Sequence, residues 1–156
     1  MLEIETKPDF AGFLKNYRGV KEYTGIVAEI QKWYYGSLIK ASWCATCLSY
    51  VANRCGALNK IGGKNENVYN MMCACRDKGD GTFFTRKNLP EKIEKNDILF
   101  WLWSGDIMTT TSSKHVGVAE YASYGNEIFC IGGNQKDKIC TLKYDKKYLY
   151  AVFRVN

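Results

Sequence analysis

Apolar positions in the first third of the chain recur at helical spacing. Phe10, Phe13, Leu14 and Tyr17 form one set, and Ile26, Val27, Ile30, Trp33 and Tyr34 a second that Gly36 breaks. A third set, Cys44, Cys47, Leu48, Val51 and Ala52, makes one face of the stretch ASWCATCLSYVANRCG, residues 41–56. Ser42 is the N-cap candidate of that helix, which would place Cys44 in its first turn, and Gly56 suits its C-terminal end. From Asn59 to about Pro90 the chain is rich in Gly, Asn and Lys around VYNMMCACRDKGDGTFF. A short helix or loop is expected there, then a hairpin-like turn at Gly79, Asp80 and Gly81.

The second half changes period. DILFWLW (97–103), HVGVAEYAS (115–123), EIFCIGG (127–133) and YLYAVFRV (148–155) are rich in β-branched and aromatic residues and bounded by turn signals. Tyr124, Gly125 and Asn126 fit a tight hairpin turn. Helices first and strands later predict an α+β fold, with N-terminal helices packed on one face of a C-terminal antiparallel sheet. At 156 residues, with two prolines, no internal repeat and no Pro/Ser-rich linker, the chain reads as a single domain, 1–156.

Composition narrows this picture. With 46% apolar and 24% charged residues the chain is no disordered segment. No apolar run approaches the roughly 18 residues of a membrane span, so no membrane insertion is expected. The start, MLEIETKPDF, lacks the basic and apolar regions of a signal peptide. The expectation is synthesis in the cytoplasm, with any outside action following lysis or dedicated export. The net charge of +6 suits an acidic partner or polyanionic surface, and equally suits plain solubility. The 22 Lys and Arg are scattered and no nucleic-acid motif accompanies them, so nucleic acid is not an expected partner.

Seven cysteines is an odd count, and without a secretory signal all are expected to be reduced. Three readings compete for the C-x-x-C of Cys44 and Cys47. Structural zinc would need a second close pair; Cys73-x-Cys75 is too tight for a knuckle, and the first pair sits within an apolar helical face. A thioredoxin-like pair should open a helix after a strand in a βαβ unit, and no parallel sheet is evident. The third reading uses Cys44 alone. A helix N-terminus lowers a thiol's pKa, and the resulting thiolate is a good nucleophile. Such a nucleophile needs a base, and the chain has one histidine, His115, which opens a strand behind the polar TTTSS loop. In an antiparallel hairpin the start of one strand lies beside the end of the next, which brings Asn134 of IGGNQ near His115 as the orienting group.

These residues resemble a known family. WCATCLSYVANRCG is similar to the Trp-Cys-Ala-x-Phe-Val-x-Trp…Gly signature of CHAP and NlpC-type cysteine peptidases and amidases. NDILFW resembles their Gly-Asp-Ile-x-Phe-Phe strand and HVGVAEY their His-Val-Gly-x-Val strand. IGGNQKDKICTLKY resembles the Gly-Gly-Asn-Gln segment of a phage and bacterial subgroup, and YLYAVFRV its closing strand. Four motifs in order over residues 22–156 make the resemblance specific. It implies a papain-like α+β fold and hydrolysis of an amide bond in bacterial peptidoglycan, by an endopeptidase or an N-acetylmuramoyl-L-alanine amidase. Carried over by position, Cys44 is the nucleophile, His115 the base and Asn134 the orienting residue. Gly132 stands where many members have Glu, and Asn96 replaces the usual Gly before Asp97. Cys47 replaces the usual Phe and reads as an inert core thiol. The acidic calcium loop of some relatives is not recognisable, so neither a metal nor another cofactor is expected.

Trp43, Trp103 and Tyr121 are candidates for lining a substrate groove, whereas Trp101, inside a strand, reads as core. The expected partner is peptidoglycan, with a cognate immunity or delivery protein added if the chain is an effector rather than a phage lysin. The competing class is a non-catalytic wall-binding module or a zinc-clipped interaction module.

Overall fold

The computed structural model describes residues 7–156; residues 1–6, over half of the opening segment inspected for a leader, lie outside the described residues. α1 (Phe10–Lys15), α2 (Gly25–Tyr35) and α3 (Cys44–Arg54) fall on the three periodic stretches. The Asp9 carboxylate caps α1 by accepting from the Gly12 N–H at 3.0 Å. Gly36 and Gly56 take left-handed conformations just past α2 and α3, at φ 80° and 69°. The start of α3 differs from expectation: Trp43, not Ser42, is its N-cap residue, and no side chain caps it. The first N–H groups of α3 therefore lack intrahelical acceptors.

Where a short helix or loop was expected, α4 (Val68–Lys78) runs three turns, capped by the Asn67 side chain. No hairpin follows at residues 79–81. The chain instead enters β1 (Gly81–Phe84), which pairs with the C-terminal strand β6 (Leu149–Val155). β2 (Ile98–Leu102), β3 (Lys114–Ala119) and β4 (Glu127–Gln135) lie on predicted stretches. β5 (Lys138–Asp145) is an added strand, joined to β4 through Lys136 and Asp137 at φ 53° and 59°. Two left-handed residues make the turn whose twist matches a hairpin, but Lys-Asp lacks the Asn-Gly signature that would announce it.

The sheet runs β1-β6-β2-β3-β4-β5, each neighbour antiparallel. The expected papain-like layering, with the N-terminal helices laid together on the sheet, is corrected here. α3 packs on β3 and β4, α2 packs on α3, and α4 reaches β3 and β6. The helices thus form no single layer on the sheet, and its edge strand β1 comes from the segment read as loop. The result is a small α+β domain with four helices and a six-stranded antiparallel sheet among the described residues. The physical reason is that α2 buries its Val27 and Ile30 stripe in a core shared with α1 and α3.

Both sheet faces are buried, so the central strands are apolar throughout rather than alternating: all five residues of β2 are buried. One face carries Ile98, Phe100, Val116 and Val118 against the helices, the other Leu99, Trp101, Ile128 and Val152. Asp97 is 1% exposed; its carboxylate accepts from Arg154 Nε and Nη2 at 2.9 and 2.8 Å, which ties β2 to β6, and from the Glu94 N–H at 2.9 Å. Asn96 holds the left-handed conformation (φ 74°) that a glycine would otherwise supply there.

Candidate active site

The site exists because β3 and β4 part. Their ladder holds only Val118 to Ile131 and Ala119 to Cys130. Toward the start of β3 the strands diverge, and the N-terminus of α3 is set into the gap. Glu120 N–H still donates to Phe129 O of β4. Strand alternation points Val116 N–H to the same side, but there β4 has turned away, and the N–H is directed at the Cys44 thiol instead. Two glycines permit this approach. A Cβ on Gly117 would stand 2.3 Å from Cys130 Sγ, and one on Gly133 2.6 Å from the Trp43 ring and 2.8 Å from Cys47 Cβ.

Three steps further along the β3–β4 register would set His115 opposite Asn134. The register does not continue, because β4 bulges between Gly132 and Gln135. The extra residue turns Gln135 inward, where its Oε1 lies 2.8 Å from His115 Nε2. Gln135 is 2% exposed, and its amide nitrogen donates to the carbonyls of Cys130 (3.1 Å) and Cys140 (2.6 Å). Carbonyls only accept, so they fix the amide's orientation and leave Oε1 to face the imidazole. His115 Nε2 must then carry the proton, and Nδ1 is left for Cys44.

Asn134 is corrected as the orienting residue. Its side chain does not bond His115; its Nδ2 donates to Ser42 Oγ at 3.0 Å. Asn134 and Gln135 share one strand end, and the bulge sends the second of them, not the first, to the imidazole.

Burial, the first influence on Cys44, pushes its thiol up, but the hydrogen bond and charge of His115, the Val116 N–H and Ser42 outweigh it and hold the thiol below its ordinary value. His115 moves the opposite way. Burial disfavours its charge, yet the hydrogen bond and charge of Cys44, with Gln135, raise the imidazole above its usual range. Lowered thiol and raised imidazole together favour a thiolate–imidazolium pair. The first turn of α3 adds the positive end of its dipole. Cys47, one turn on, is different: burial pushes its thiol up to about 12, and nearby Cys44 adds to the effect. It is a protonated core thiol.

The expected groove residues divide. Trp43 is fully buried behind Gly133 and belongs to the core, because the close approach of α3 to β4 encloses its ring. Trp103 is half-buried beside the site, 6.3 Å from the His115 ring centroid and nearly parallel to it at 21°. Trp101, fully buried, stacks on Trp103 at 9°. Tyr121 is 51% exposed past the far end of β3, edge-on to Phe129 and under Lys15. At about 3.3 Å per residue, the length of β3 separates Tyr121 from His115, so it lines no common groove with Cys44.

Cys73 is half-buried on α4, and Cys75 is buried with its thiol directed to Ile61 O at 3.6 Å. Among the described residues no three His, Cys, Asp or Glu side chains are grouped to hold a metal ion. No described helix is long and apolar enough to cross a membrane.

No family model, curated protein or solved structure matches the chain. The site therefore stands on its own geometry. It holds a thiol with a lowered pKa at a helix start, an imidazole within hydrogen-bond reach, and a buried amide that fixes the tautomer. Such a set can carry acyl transfer through a covalent thioester.

Proposed function

We propose that this chain is a cysteine-nucleophile hydrolase that cleaves an amide bond in bacterial peptidoglycan. The observation that carries the chemistry is the Cys44–His115–Gln135 constellation, with Gln135 Oε1 2.8 Å from the imidazole. What supports the substrate is the ordered resemblance of four segments to the CHAP and NlpC-type enzymes. A net charge of +6 suits a carboxylate-bearing wall polymer.

In this reading the Cys44 thiolate attacks the substrate carbonyl while His115 is held as imidazolium. The imidazolium gives its Nδ1 proton to the leaving amine. Nδ1 then takes a proton from the water that hydrolyses the thioester. Gln135 keeps the ring oriented through both steps, and Trp103 shields its face.

Purified peptidoglycan from several wall chemotypes should be digested with wild type and with Cys44→Ser, and the released fragments weighed by mass spectrometry. Release that disappears with Cys44 supports the proposal, and the new termini distinguish an amidase from an endopeptidase. Absence of release from every chemotype by the wild type overturns it.

A further inference from the structure

The β4 bulge places two consecutive side chains in one site. Gln135 goes inward to His115, while Asn134 stays half-buried at the mouth in the left-handed conformation, φ 58°. Among residues with a side chain, Asn tolerates that backbone best. There its Nδ2 reaches Ser42 Oγ across 92 positions of sequence. Ser42 Oγ in turn lies 3.9 Å from Cys44 Sγ. Because Ser42 Oγ accepts from Asn134, its own proton is turned away from that amide, and the Asn134 amide retains a second N–H. Beside them is the Cys44 backbone N–H, at the helix start, where no intrahelical carbonyl serves it.

We propose that Ser42, Asn134 and the Cys44 backbone N–H form an oxyanion hole for this site, an inference that rests on reading Cys44 as the nucleophile. When the thiolate attacks a carbonyl carbon, the S–C bond forms and the C=O π pair moves onto oxygen. That oxygen ends two bonds from Sγ. Donors about 2.7–3.1 Å from it must stand close to the sulfur, and Ser42 Oγ lies 3.9 Å from Sγ in a long contact that the oxyanion would take over. Of the hole's side-chain donors, Asn134 on β4 bonds Ser42 rather than the thiol, whereas Ser42 also hydrogen-bonds the thiol and joins His115 and Val116 of β3 in favouring its ionised form. Removing the Asn134 amide should slow chemistry at a carbonyl and leave the thiolate as reactive as before.

Two rates on the full chain test this separation. Acylation of Cys44 by p-nitrophenyl acetate passes through an oxyanion: sulfur bonds to the acetyl carbon, and p-nitrophenolate leaves as a measurable burst. Alkylation by iodoacetamide displaces iodide at a saturated carbon and forms no oxyanion. Asn134→Gly keeps the left-handed backbone and removes the amide; Ser42→Ala is the second variant, and Cys44→Ser gives the background. The expected result for Asn134→Gly is a burst rate reduced about 10²- to 10³-fold with alkylation essentially unchanged; Ser42→Ala, which also loses a bond to the thiol, should slow the burst more than alkylation. A wild-type burst that survives in both variants, or that in Asn134→Gly falls together with alkylation, overturns the oxyanion hole and leaves the nucleophile standing. A wild type with neither a burst nor fast alkylation overturns both readings.

Discussion

Gln135 is the residue on which the site's geometry turns, and Gln135→Met is the variant that tests it. Methionine is of similar length and fits apolar surroundings, so the change removes hydrogen bonds with little change in volume. Three are lost: one from His115 Nε2–H at 2.8 Å, one to Cys130 O at 3.1 Å and one to Cys140 O at 2.6 Å. The bond from a charged imidazolium is worth about 1.5–3 kcal/mol, whereas a neutral backbone pair contributes about 1 kcal/mol. Total destabilisation should be on the order of 3–5 kcal/mol. For a chain of this size that lowers Tm by about 6–20 °C, at roughly 2–4 °C per kcal/mol. The site should lose more than stability. Without an acceptor on Nε2 the imidazolium is less favoured, and the thiolate with it. If the full charged bond is lost, Cys44 alkylation at pH 6.5 should slow by about 10- to 150-fold, each 1.4 kcal/mol being tenfold. The assay is iodoacetamide labelling, with Cys44 identified by peptide mass, at a temperature where circular dichroism shows the variant folded. A folded Gln135→Met whose Cys44 labels as fast as wild type would refute the assignment of Gln135 as the positioning residue.

Two further outcomes follow from the same geometry. Cys44 has its thiol lowered and His115 its imidazole raised, which draws the two titrations together and favours the ionised pair. Cys44 alkylation should therefore persist below about pH 8.5, the usual thiol value, and His115→Ala should return its midpoint toward that value; an unshifted wild-type profile contradicts the ion pair. Gly133→Ala would press a methyl 2.6 Å from the Trp43 ring and 2.8 Å from Cys47 Cβ. It should displace α3 from the β4 bulge and slow Cys44 alkylation more than Gly125→Ala, whose added carbon meets nothing within 4 Å; equal rates would count against close α3–β4 packing as the support of the site.

The helices α1, α2 and α3 were legible because each carries an apolar stripe of period 3.6 and a stop signal. The placements of Cys44 and His115 were legible because one opens an apolar helix and the other lies near the start of an apolar strand. The rest was hidden by features with no local sequence signature. The β4–β5 turn uses Lys136 and Asp137, neither of them a usual residue for a left-handed pair. β1 pairs with a strand some 70 residues away, which no local pattern encodes. α2 lies on α3 rather than contributing to a single helical layer, a choice made by tertiary packing. The bulge changed the third member of the site, since one unpaired residue exchanges the side chain facing His115 from Asn134 to Gln135.

The parting of β3 and β4 also determines when the thiol becomes chemically active. Its ionisation draws on a helix from early in the chain, an imidazole and an amide N–H from β3, and a carboxamide held by carbonyls of β4 and β5. None of these is within 70 positions of Cys44 except the helix it begins. A nascent or partly folded chain holds the same seven thiols with ordinary reactivity. The Cys44 thiol thus behaves as a coincidence detector, ordinary until every element has docked, and its labelling rate is a direct readout of completed assembly.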